Sequence, residues 1–146
     1  YDEVVIVNWK HRKNTGEIIK EKSYKVEIKK LSSVWLEKIT LPELSLYDEY
    51  ISYEMIKDNK VISSGTTIFC APKHFKFINP NLNISVNGDE ITILSDSYAR
   101  SIEVINEEDN LLLEDNYFDI NSGIHKVKII KGEPKGLKVR SVYDIR

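Results

Sequence analysis

A single cysteine, Cys70, excludes an intrachain disulfide, and no Cys/His spacing marks a zinc site. The six glycines are scattered singly, with no Gly-x-Gly-x-x-Gly run and no phosphate loop, so nucleotide binding has no sequence support. No stretch of about 18 apolar residues occurs, and the opening residues Tyr1 to Val7 lack a basic leader region, so neither a membrane span nor a secretory signal is visible. Excess charge is missing too. The 21 Lys+Arg and 23 Asp+Glu leave a net charge of −2, which gives no electrostatic footprint for nucleic acid or an anionic membrane. What is present, 41% hydrophobic and 30% charged residues over 146 positions, fits one or two small globular domains. A chain that opens at Tyr1, directly on a strand-like run, reads as processed or as part of something longer.

Apolar and polar residues alternate along most of the chain, the period of half-buried strands, and turn residues punctuate the alternation. Val5, Val7 and Trp9 share one face of a first run; Asn14-Thr15-Gly16 turns it into a long strand from Ile18 to Ile28. Val34 to Ile39 is a third run, interrupted by Pro42, and Leu41 to Leu46 can form one helical turn at most. Tyr47 to Ile56 passes through Asp58-Asn59, a type I′-compatible pair, into Val61 to Phe69. Ala71-Pro72-Lys73-His74-Phe75 breaks the pattern as a linker would, which divides the chain into residues 1–75 and 76–146. Cut there, the halves carry 12 Lys+Arg against 11 Asp+Glu and 9 against 12, so neither is a charged tail. In the second half Asn87-Gly88-Asp89 signals a hairpin between Leu82–Val86 and Glu90–Leu94. Ala99–Ile105, Leu111–Leu113, Asn116–Ile120, Ile124–Ile130 and Leu137–Tyr143 complete about seven strands in roughly 70 residues, the size and turn spacing of an immunoglobulin-like sandwich.

No catalytic constellation emerges. Glu107, Glu108 and Asp109 form a like-charged turn of the kind water solvates, and with Asp115 and Asp119 they lack the spacing of a calcium loop, so no metal is assigned. His11, His74 and His125 are dispersed, and Cys70 has no nucleophile elbow or basic neighbour in sequence. Asn83-Ile84-Ser85 fits the glycosylation pattern but carries no weight without a secretory context. Aromatic rings are the remaining candidates, because flat rings stack on pyranose faces. Trp35, Tyr50 and Tyr53 are the chosen carbohydrate contacts, from a set that also includes Trp9, Tyr47 and Tyr98, with core packing as the competing role for each.

Four segments, Lys73-His74-Phe75, Ser95-Asp96-Ser97-Tyr98-Ala99, the run from Leu113 through Asp115-Asn116-Tyr117-Phe118-Asp119 to Gly123, and Gly136 to Asp144, together resemble the C-terminal end of β-mannosidases of glycoside hydrolase family 2. Thr15-Gly16-Glu17, the Tyr50 to Met55 strand and the Phe69-Cys70-Ala71-Pro72-Lys73 exit resemble the preceding sandwich domain less specifically. The resemblance implies an all-β fold of two tandem immunoglobulin-like β-sandwich domains. The first shows five strands where a complete sandwich has about seven, and so reads as truncated at its N-terminus. A catalytic (β/α)₈ barrel needs ~250 residues and cannot fit here, so neither catalytic glutamate is carried over. The expectation is a non-catalytic accessory part of a β-mannosidase-like glycoside hydrolase. No cofactor is expected; the parent's barrel is a partner in cis, and exposed sheet edges allow self-association. The alternative is a carbohydrate-binding module using surface aromatics. Sugar preference and compartment are not fixed by these residues.

Overall fold

A computed structural model describes residues 3–28 and 44–145, and the chain in it is almost entirely strand. The first described half is one antiparallel sheet of β1 (Glu3–Lys13), β2 (Ile18–Ile28), β3 (Glu49–Lys57) and β4 (Lys60–Thr67), in spatial order β2-β1-β3-β4. The turn between β1 and β2 runs through Gly16 at φ 91°, and Asp58 and Asn59 take φ 51° and 63° between β3 and β4, the left-handed pair a type I′ hairpin requires. Val5, Trp9, Val26 and Ile51 are buried, so the alternation of β1 does place Val5 and Trp9 inside. His11 continues that face. It is buried as well, and its Nε2 donates to Glu49 Oε1 at 2.9 Å. The expected run from Val34 to Ile39, and Trp35 with it, lies outside the described residues.

The second half is a two-layer sandwich. One sheet has the order β5-β6-β10-β8, built from β5 (Asn83–Asn87), β6 (Glu90–Ser95), β10 (Gly123–Lys131) and β8 (Leu112–Leu113). Facing it is β11-β7-β9, from β11 (Lys138–Arg140), β7 (Ala99–Ile105) and β9 (Phe118–Ile120). Ile91, Ile93, Leu113 and Val127 of the first sheet meet Ala99, Ile102, Val104, Phe118 and Ile120 of the second in one core. Period-two alternation explains most of this, since Ile91, Ile93 and Ser95 are buried on β6 while Leu94 is exposed. In β7 the register shifts between Ala99 and Ile102, where Ser101 takes φ 53°, so residues three apart both point inward.

The hairpin signalled at Asn87-Gly88-Asp89 forms, with a loop one residue shorter, and one strand expectation is corrected. Asn87 pairs with Glu90, so the tight loop is Gly88-Asp89, with left-handed φ at Gly88 (63°) and not at Asp89, as at the first central residue of a type II′ turn. The run Leu137 to Tyr143 is not one strand. It stops at Arg140, and Val142–Ile145 forms a single helical turn, α1, because the Asp144 carboxylate accepts the Ser141 N–H at 2.7 Å and caps the turn. Among the described residues no helix is long and apolar enough to cross a membrane.

Candidate functional site

Residues 68–82 carry no strand, yet they do not form a loose spacer. His74 and Phe75 donate backbone hydrogen bonds to Ala71 and Pro72, and the turns thus formed bury Phe75 and Phe77 against Tyr50 of β3 and Tyr98 just ahead of β7. Tyr50 and Tyr98 stack with ring centroids 3.6 Å apart and planes 10° from parallel, and Phe75 meets both edge-on at 6.5 and 5.9 Å. Burial pushes both phenols above the ordinary tyrosine pKa. Each hydroxyl is satisfied across the junction. Tyr50 Oη donates to Asn121 Oδ1 at 2.8 Å. Thr66 Oγ1 spends its one proton on Asp119 Oδ2 at 2.6 Å, so Tyr98 Oη must be the donor in its 2.6 Å contact with Thr66. The other Asp119 oxygen accepts the N–H of Ser101, the residue at the β7 irregularity, at 2.7 Å. Main-chain bonds tighten the seam: Tyr98 N–H to Asn14 O, Lys76 N–H to Tyr47 O, and the Asn14 side-chain amide to Lys76 O. At Gly16 a Cβ would overlap the Asn121 carbonyl, so only glycine lets the first hairpin approach β9 this closely.

Beside this junction a polar cleft of about 490 Å³ opens between the first sheet and the β9–β10 end of the sandwich. Asn8, Lys10 and Arg12 project from alternate positions of β1 with Ser52 and Glu54 of β3, and Asp115, Asn121 and His125 face them. Arg12 is fixed by bonds from Nε to Ser52 Oγ at 2.9 Å and from a terminal nitrogen to Gly16 O at 2.7 Å. Asn8 donates to Glu54 at 3.2 Å. His125 stacks on Phe118 at 4.1 Å; burial lowers its pKa below the ordinary histidine value, while the Asp115 and Glu114 carboxylates oppose that shift. Among the described residues no three His, Cys, Asp or Glu side chains converge to hold a metal ion.

The three aromatic candidates from the sequence separate. Tyr50 is 0% exposed, with its ring stacked and its hydroxyl spent, so it has no face to offer a sugar and acts as junction core. Tyr53 is 44% exposed, lies across Gly65 on the paired strand, and borders the cleft. Trp35 lies outside the described residues. The bonds Arg12–Ser52, Thr66–Asp119 and Tyr50–Asn121 join residues 40, 53 and 71 positions apart, beyond any local sequence pattern.

Aligned β-layers with this turn spacing define an immunoglobulin-like sandwich protein. Residues 3–74 match the family described as the mannosidase Ig/CBM-like domain. Over 96% of its length the chain superposes on a β-D-mannosidase from Dictyoglomus thermophilum with a TM-score of 0.74 at 17% identity, a likeness of fold. It covers only 18% of that enzyme's chain. No curated protein matches the chain. The sequence-based resemblance to mannosidase sandwich domains agrees with these comparisons.

Proposed function

We propose that the chain is the non-catalytic C-terminal portion of a glycoside hydrolase of family 2, with residues 1–75 and 76–146 as two sandwich domains, the first missing its opening strands. The parent would hydrolyse terminal β-mannosides with retention on a barrel outside this sequence. The observation that carries the reading is the 96% against 18% coverage, since the whole chain fits into a small share of a β-mannosidase. The junction supports a mechanical role. Stacked, hydrogen-bonded aromatics make the two halves a stiff brace, suited to holding a barrel in place. Sequencing the coding region upstream of Tyr1 tests this: a barrel-sized segment with two glutamates at strand ends is expected, and a start codon directly before Tyr1 would overturn it. A clean preparation of the chain should leave an aryl β-mannoside intact. The parent's barrel is the proposed partner in cis. Val61 and Ile62, exposed on β4 at the end of the sheet order, support self-association as a second contact, and a single monomeric species across a wide concentration range in sedimentation would refute that contact.

A further inference from the structure

The first sheet changes character at the end away from the junction. β1 opens on Val4-Val5-Ile6-Val7, four apolar residues in a row, and only from Asn8 onward do polar residues occupy every second position. A continuous apolar run is the pattern of a strand covered on both faces, whereas alternation marks one covered face and one wet face. β3 and β4 make the same change at the same end, with Met55-Ile56 and Val61-Ile62. Register brings the outward members together: Ile6 lies opposite Ile56, Ile56 lies opposite Val61, and Val4 stands two residues from Ile6 on the same face. The far face is covered, with Val5 at 2% exposure, but Val4, Ile6 and Val61 are 45%, 39% and 55% exposed. With the half-buried Ile56 they form one patch across three strands, and contiguous apolar patches mark interaction surfaces where single exposed residues do not. Lys25 and Glu27 of β2, opposite Ile6 and Val4, edge it with one charge of each sign. The position of the patch names what covers it. β1 begins at Glu3, so polypeptide ahead of Tyr1 enters the fold at this end, and the three residues from Tyr1 to Val4 reach at most about 10 Å. A segment tethered so closely meets the patch at a millimolar effective concentration, which a free second copy at micromolar concentration does not match.

We propose that Val4, Ile6, Ile56 and Val61 are the docking surface for the stretch of the parent chain immediately ahead of Tyr1, which presents apolar side chains to the patch, an acidic group to Lys25 and a basic group to Glu27. This rests on the reading of the chain as the C-terminal portion of a larger enzyme, and adds which face of which sheet carries the contact in cis. The test compares thiol accessibility in the full-length parent and in the 146-residue chain alone. Ile6→Cys and Val61→Cys place thiols in the patch, and Ile130→Cys, at a 63% exposed position of β10, places one outside it. Each is labelled with N-ethylmaleimide and read peptide by peptide in a mass spectrometer. The two patch thiols should label about tenfold more slowly in the parent than in the chain alone, with the Ile130→Cys thiol equally fast in both. A coding region that starts at Tyr1 removes the parent and overturns both readings. A parent whose patch thiols label as fast as those of the chain alone overturns this inference and leaves the parent reading standing, as does equal slowing at all three positions. Patch thiols that slow in the chain alone as its concentration rises, while those of the parent stay fast, assign the face to a second copy and overturn it as well.

Discussion

Tyr50 is the residue through which the two halves should be most sensitive to change. Removing its hydroxyl in Tyr50→Phe keeps the ring stacked on Tyr98 and deletes one bond, to the part-buried Asn121 Oδ1, which should cost about 1 kcal/mol. Truncation in Tyr50→Ala removes a fully buried ring and leaves Tyr98, Phe75 and Phe77 around a cavity, a loss of about 3–5 kcal/mol. That is a large share of the 5–15 kcal/mol stability of an ordinary domain. The sequence supplies its own probes. Both tryptophans, Trp9 and Trp35, precede residue 75, so indole fluorescence reports the first half alone while far-UV circular dichroism reports the whole chain. In urea the two signals should coincide for the parent chain and for Tyr50→Phe, and separate in Tyr50→Ala, with the fluorescence midpoint lower. The expected double-mutant coupling between Tyr50 and Tyr98 is about 0.5–1.5 kcal/mol. Coincident transitions with an unmoved midpoint in Tyr50→Ala would refute the view that this stack joins the halves.

Three further outcomes follow from the same geometry. Gly16→Ala should destabilise by about 1–3 kcal/mol in thermal melts, because its Cβ would meet the Asn121 carbonyl at a left-handed φ; a change within error would show that the hairpin can retreat. Ile102→Ala, at 0% exposure in the sandwich core, should cost about 2–5 kcal/mol in urea, and a smaller loss would mean the core collapses around it. His125 titrates below its unfolded value of about 6.5 because burial disfavours its charged form. The unfolded chain then binds the proton first, so stability is full above about pH 6.5 and falls as pH drops through that value toward the native pKa. His125→Gln should flatten this segment of the urea midpoint plotted against pH, and an unaltered profile would count against the assignment.

Local pattern made most strands legible. Ile91, Ile93 and Val127 alternate with polar or exposed neighbours, and turns such as Asp58-Asn59 carry residues that tolerate left-handed backbone, so the elements could be drawn from neighbours alone. The junction was not legible in that way. In sequence Tyr50 reads first as a core or interface residue and second as a sugar platform, and its burial is decided by Phe75 and Tyr98, 25 and 48 positions away. The cleft was hidden for the same reason, since Lys10 and Asp115 belong to different halves and meet only after both have folded. At the C-terminus, apolar alternation suggested a strand through Tyr143, but a Ser141–Asp144 cap, visible as a Ser-x-x-Asp spacing, outweighed it.

The irregularity in β7 has a consequence beyond its own sheet. Because the backbone reverses its facing at Ser101, Ala99 and Ile102 serve the sandwich interior while Tyr98 turns to the aromatic cluster beyond it, and one carboxylate, Asp119, holds both the reversal and the Thr66 tether. The angle at which the first sheet leaves the sandwich is thus geared to a strand register and is not left to a hinge. Adding or deleting one residue in β7 would swing the whole first sheet, so any descendant of this chain that re-aims one half must re-cut the other to match.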